Sequence, residues 1–149
     1  MFRHLLVPVD GSDLSANSAD RAITFARETG AQITFFFAKP EYPLAFYGEG
    51  ALIDPTTPER FAEMAEEQAH EILSEAEAKC KTLAQEVKVT SLSLTNAAPW
   101  EGIIAAAEQV GADLIFMASH GRRGISGLLL GSETQKVLTH STIPVLVYR

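Results

Sequence analysis

The most constraining feature of this chain is a succession of five strand-length segments, each separated from the next by a stretch long enough for a helix. Leu5–Val9, Ile33–Ala38 and Asp113–Ala118 read as continuous apolar runs, as strands covered on both faces do. Val87–Thr95 instead alternates apolar and polar residues, the pattern of a half-exposed or edge strand, and Ile143–Tyr148 ends the chain as a fifth strand. The order βαβαβαβαβ points to an α/β fold, a parallel sheet with helices on both faces.

The intervening segments carry helix punctuation. Ser12 or Asp13 can cap a first helix with Ala19, Ala22, Ile23, Phe25 and Ala26 as its apolar stripe, and Gly30 stands where the helix should stop. From Pro58 to about Glu86 the chain is rich in Ala, Glu, Lys and Leu, and Phe61, Ala65, Ala69, Ile72, Ala76 and Leu83 share one face. Pro99 starts a third helix that runs to Gly111. A fourth opens at Ser132. Lys39–Pro58, broken by four prolines and two glycines before Pro58 is reached or at it, reads as a long loop carrying Tyr42, Phe46 and Tyr47. It is either a cover over the core or a lid or partner surface, and its departure from the carboxyl end of a strand favours the second.

With 149 residues, 46% of them hydrophobic, the chain reads as one domain, residues 1–149. A formal charge of -7 argues against broad binding to nucleic acid or anionic membrane, so an anionic ligand needs a local site. The lone Cys80 excludes an intramolecular disulfide and reads as a free thiol in a reducing compartment. The apolar run near the N-terminus is too short for a signal peptide or a membrane span, which makes the expected location cytoplasmic.

Chemistry concentrates after the fourth strand. Met117–Thr134 is glycine-rich and ends in hydroxyls at the start of a helix, whose free N–H groups and positive dipole end suit a phosphate. In an open parallel sheet, ligands settle beyond the carboxyl ends of the strands where the strand order reverses. The first and fourth strands end in Asp10-Gly11-Ser12 and Ser119-His120-Gly121, and if those strands are neighbours both clusters face one crevice.

Val7-Pro8-Val9-Asp10-Gly11-Ser12, Met117-Ala118-Ser119-His120-Gly121, Gly131-Ser132 and Pro144-Val145-Leu146-Val147 together resemble the universal stress protein family across essentially the whole chain. The resemblance implies a Rossmann-like five-stranded sheet of order 3-2-1-4-5 and a homodimer, and if the C-terminal strand 143–148 lies at the sheet edge, pairing with the same strand of a second subunit would remove that edge. Family members that bind ATP carry a pattern of Gly, two residues, Gly, nine residues, then Gly with Ser or Thr. Here Gly121, the nine residues Arg122–Leu130 and Gly131-Ser132 fit, while Ala118 replaces the first glycine. That replacement matters only if the position needs a positive φ or touches the ligand closely.

Carried over residue by residue, the resemblance implies ATP with magnesium as the cofactor. Asp10 would meet the ribose or adenine edge, with Val9 and Ala38 beside the base and Met117 and Ala118 on the same wall. Gly121, Arg122, Gly131, Ser132, Glu133 and Thr134 would cradle the phosphates, which in turn would hold the metal. Each residue also has a plainer role. Asp10 can be a turn residue, Ser132 a helix cap, Arg122 and Arg123 solvated charges, Trp100 a packing residue and His120 a partner in a structural hydrogen bond. His4, His70 and His140 show no metal-ligand spacing.

Three functions follow. One is a nucleotide-dependent stress or signalling module. Another is an ATP-hydrolysing enzyme, for which no residue offers itself to activate water, so hydrolysis is expected to be slow at most. The third is a dimeric interaction module with an empty pocket.

Overall fold

The computed structural model describes residues 1–43, 57–120 and 130–149, and β1 (His4–Pro8) lies at the centre of its sheet. On one side β1 pairs in parallel with β2 (Gln32–Pro40), which pairs with β3 (Val89–Asn96). On the other it pairs with β4 (Leu114–Ala118), which pairs with β5 (Val145–Tyr148). The order is therefore β3-β2-β1-β4-β5, all parallel, as the resemblance implies.

Helices α1 (Asp13–Thr29) and α2 (Pro58–Leu83) cover one face, and α3 (Pro99–Val110) and α4 (Ser132–His140) the other. Alternate strand residues supply the two cores. Leu5, Val7, Phe35, Phe37 and Phe116 pack against Ala22, Ile23 and Ala26 of α1 and Ala69, Leu73 and Cys80 of α2. Leu6, Phe36, Ile115 and Met117 pack against Ile103, Ala106 and Ala107 of α3 and Val137 of α4. The central strands bury both faces, which is why their sequence shows no alternation. Phe35 and Phe36 are fully buried on opposite faces, where truncation of a ring to Ala typically costs about 3–5 kcal/mol.

Helix ends follow the expected chemistry. The Ser12 hydroxyl accepts the Ser15 N–H at 3.2 Å and caps α1, and Gly30 closes that helix at φ 72°, a left-handed conformation open to glycine. Thr57 caps α2 by accepting from Arg60 N–H, with Pro58 next to it. Burial pushes the Cys80 thiol up, with help from Glu77 and Glu86, so this free cysteine is held as the thiol inside α2's packed face.

Several boundaries differ from expectation. The second helix stops at Leu83, and an Ala84–Val87 turn closed by a 3.0 Å backbone bond delays β3 to Val89. β2 runs on to Pro40 because β3 pairs with it up to Asn96. The last strand starts at Val145, since the Ser141 hydroxyl bonds both the N–H and the carbonyl of Ile143 and folds that segment back on itself. Of the aromatic loop, Tyr42 packs edge-on against Phe61 at 5.5 Å, while Phe46 and Tyr47 lie outside the described residues.

Candidate functional site

The chain builds β1, β2 and β3 outward in one direction, then returns to lay β4 on the opposite side of β1. This reversal leaves a crevice beyond the carboxyl ends of β1 and β4, the position at which open α/β sheets bind ligands. Both polar clusters singled out in the sequence sit there: Asp10-Gly11-Ser12 after β1 and Ser119-His120 after β4.

On the β1 side, Val9 is buried and its N–H continues the ladder to the Phe36 carbonyl at 2.8 Å. Asp10 then turns the chain. Its carboxylate accepts the Ser12 N–H at 2.9 Å, Gly11 takes φ 80°, and the Asp10 N–H donates to the Ser15 hydroxyl at 3.0 Å. Asp10 is thus a turn residue just beyond the carboxyl end of β1. Ser15 is a partner that sequence reasoning missed. Its signal is the Ser12-x-x-Ser15 spacing, in which one hydroxyl caps and the other reaches back.

On the β4 side, Ser119 is the pivot. Its N–H bonds the Tyr148 carbonyl at the end of β5, and its carbonyl accepts the Gly131 N–H, both at 2.8 Å. The buried Thr134 hydroxyl reaches the Ala118 and Ser119 carbonyls at 3.1 and 3.2 Å. The start of α4 is thereby clamped to the end of β4. The clue in the sequence is a polar residue directly following a fully apolar strand.

Gly131 is the residue before α4 and brings no side-chain cap, so the first N–H groups of Ser132, Glu133 and Thr134 have no intrahelical acceptor. They form the positive end of the helix dipole at the crevice. Three of the residues expected to cradle phosphate separate here by role. Ser132 is exposed at the first helical position. Thr134 has its hydroxyl donated inward, leaving its backbone N–H. Glu133 turns its carboxylate away to α3, where it accepts the Trp100 N–H at 2.8 Å. That bond caps a helix whose own preceding residue, Ala98, offers no side-chain bond.

Ala118 lies inside β4, and no described residue other than glycine has positive φ. Alanine at that position therefore carries no backbone strain. Met117 and Ala118 are buried at the carboxyl end of β4, Met117 within the core under α3 and α4, and Ala38 sits on the neighbouring strand beyond Val9. Gly121 and Arg122 lie outside the described residues. His120 follows the pivot, with Nδ1 2.9 Å from the Ser119 hydroxyl, the structural hydrogen bond that the sequence allowed.

A model of the universal stress protein family matches residues 1–149. Universal stress protein YxiE of Bacillus subtilis is 32% identical over 151 residues, across the whole of both chains. Among solved structures, a universal stress protein in complex with cAMP superposes with a TM-score of 0.73 at 24% identity, covering 99% of this chain and 97% of that one. The universal stress protein from Archaeoglobus fulgidus in complex with dAMP superposes at 0.67 and 20% identity, covering 100% and 98%. With the strand order, the helix placement and the whole-length match in agreement, the chain belongs to the universal stress protein family.

Proposed function

We propose that this protein binds ATP in the crevice between β1 and β4 and acts as a nucleotide-dependent stress-response or signalling module. The observation that carries the reading is the uncapped N-terminus of α4, anchored by Ser119 and Thr134 at the strand-order reversal. An anion there gains oriented N–H donors without any rearrangement of the fold. Two neighbours of the same fold hold adenine nucleotides, cAMP in one and dAMP in the other. Ala118 lies in β4 without positive φ, which removes the backbone half of the objection that the first motif glycine is missing.

Val9, Ala38, Met117 and Ala118 give the base and ribose their wall, with Asp10 at the sugar. The backbone of Gly121, Arg122, Gly131, Ser132, Glu133 and Thr134 takes the phosphates, and the Ser132 hydroxyl adds a bond. Magnesium enters on the phosphate oxygens more than on the protein. Among the described residues none is assigned to activate water, and hydrolysis is slow at most. The site serves a cytoplasmic protein. Among the described residues no helix is long and apolar enough to cross a membrane.

β5 lies at the sheet edge with all four of its apolar residues only partly buried, and a second subunit's β5 across a two-fold axis would cover it. The assembly is a homodimer through residues 143–148. An ATP-independent dimeric module would share that interface and leave the crevice empty.

Thermal denaturation of nucleotide-stripped protein tests the reading. ATP at about one hundred times its dissociation constant adds about 2.7 kcal/mol, and should raise Tm by several degrees while GTP does little. Equal melting with and without ATP favours the empty-pocket module. Sedimentation of the same sample as a monomer would remove the dimer.

A further inference from the structure

At the end of the sheet opposite the crevice, a row of polar side chains crosses β1, β2 and β3. His4 Nε2 lies 2.8 Å from the Thr34 hydroxyl, which lies 2.9 Å from the Thr90 hydroxyl. Thr34 and Thr90 are register partners in the parallel pair, and side-chain alternation puts all three residues on the face that carries Leu6, Phe36 and Leu92. The row runs outward, because Thr34 is buried while Thr90 is exposed on the edge strand. The His4 ring also makes a backbone bond with Val110, the last residue of α3, that favours its charged form. Such a bond has the carbonyl as acceptor, and with Nε2 on Thr34 it falls to Nδ1.

Donors and acceptors match along this row in both charge states of the ring. In the neutral ring the proton sits on Nδ1 facing the Val110 carbonyl, Nε2 accepts from Thr34, and the Thr34 oxygen accepts from Thr90. In the charged ring Nε2 donates to Thr34, Thr34 donates to Thr90, and Thr90 turns its own proton to water. Neither state strands a buried donor. We propose that His4, Thr34 and Thr90 form a pH-responsive relay, in which proton uptake by His4 reverses both hydroxyls and changes Thr90 from an inward donor to an outward donor on the exposed edge of the sheet. The surroundings of the ring suit a group that changes charge. Burial holds His4 below its ordinary value, Asp113 at the start of β4 favours the charged form, and Lys88 ahead of β3 opposes it. β2 meets the ring with a hydroxyl and α3 with a carbonyl, so the turnover belongs below about pH 6.5. The relay works whether or not the crevice holds a nucleotide.

Substitution at the far end of the row tests the relay without touching the ring. Thr90→Val removes the last hydroxyl at an exposed strand position that suits valine. With the neutral ring this costs the Thr34 oxygen one incoming bond, whereas with the charged ring the buried Thr34 proton loses its acceptor. The variant therefore penalises the charged state selectively. Histidine-selective ¹⁵N NMR of the full chain across the pH range, with the His4 signals assigned by their loss in His4→Gln and melting curves as a fold control, gives the readout. Wild-type His4 is expected as the Nδ1–H tautomer above about pH 7, with a titration midpoint below about pH 6.5. Thr90→Val should lower that midpoint by about half a pH unit or more, and Thr90→Ser should restore it to within about 0.2. An Nε2–H tautomer in the neutral wild type, an unmoved midpoint in Thr90→Val, an equal drop in Thr90→Ser, or no titration of His4 before acid unfolds the chain overturns the proposal.

Discussion

Asp113 shows how much a single carboxylate contributes far from the crevice. At the opposite end of the sheet it accepts the N–H groups of Arg3 at 2.9 Å and His4 at 2.9 Å, tying the start of β1 to the start of β4. Partial burial works against the charge, yet these amide bonds hold the Asp113 carboxyl below its ordinary value. Beside it, burial holds His4 below its ordinary value, opposed by the Asp113 charge and aided by Lys88. In both cases the unfolded chain binds more protons than the folded one, so both contributions fall in acid. The His4 contribution is complete above about pH 6.5 and fades as pH falls toward its folded value, and the Asp113 contribution is complete above about pH 4 and fades below. Asp113→Asn should cost about 1–2 kcal/mol at pH 7, with the gap to wild type shrinking below about pH 4 in urea unfolding. A gap that stays constant from pH 7 to pH 3 contradicts this account of Asp113. Neither role was visible in the sequence, where Asp113 is only the polar residue opening an apolar run. Asp10, by contrast, was legible as a turn residue because Asp-Gly-Ser after a buried strand leaves few other conformations.

Among the elements, α3 and α4 depend on one another. α3 begins at Pro99 after an alanine that cannot cap it, and Glu133 from α4 supplies the missing acceptor at Trp100 N–H. The indole of Trp100 packs on the His140 ring at 4.7 Å, so one residue touches both ends of α4. A ligand at the α4 N-terminus therefore sits one residue from the cap of its neighbour. Glu133→Ala should lower stability by about 1 kcal/mol, or about 2–4 °C in Tm of the stripped protein, through loss of that cap. The emission of Trp100, the only tryptophan, should shift with it. Unchanged Tm together with weaker ATP binding would instead place the Glu133 side chain on the ligand. From the sequence, helix existence was readable because capping and periodicity are local signals. The cross-cap was not, since Glu133 and Trp100 meet only through the packing of two helices on one face of the sheet.

For the molecule as a whole, hydrophobic pattern carried most of the topology. Continuous apolar runs marked β1, β2 and β4 as covered on both faces, and helix-length connections forced parallel pairing. Strand order came with the family resemblance, because periodicity alone does not say on which side of β1 the fourth strand returns. The order matters to function because it places Asp10, Ser119 and the start of α4 around one crevice. Gly131 precedes α4 with φ -59° and ψ 150°, a conformation any residue adopts, so a side chain there meets no backbone strain, and under the proposed function it would enter the place of the phosphates. Gly131→Val should therefore fold and yet fill the place of the phosphates. Calorimetric titration of stripped wild-type and Gly131→Val protein with ATP and magnesium, with AMP and GTP as controls, tests the central claim most directly. The account predicts saturable binding of ATP by the wild type and its loss in a folded variant, and equal ATP affinity in the two proteins would contradict it.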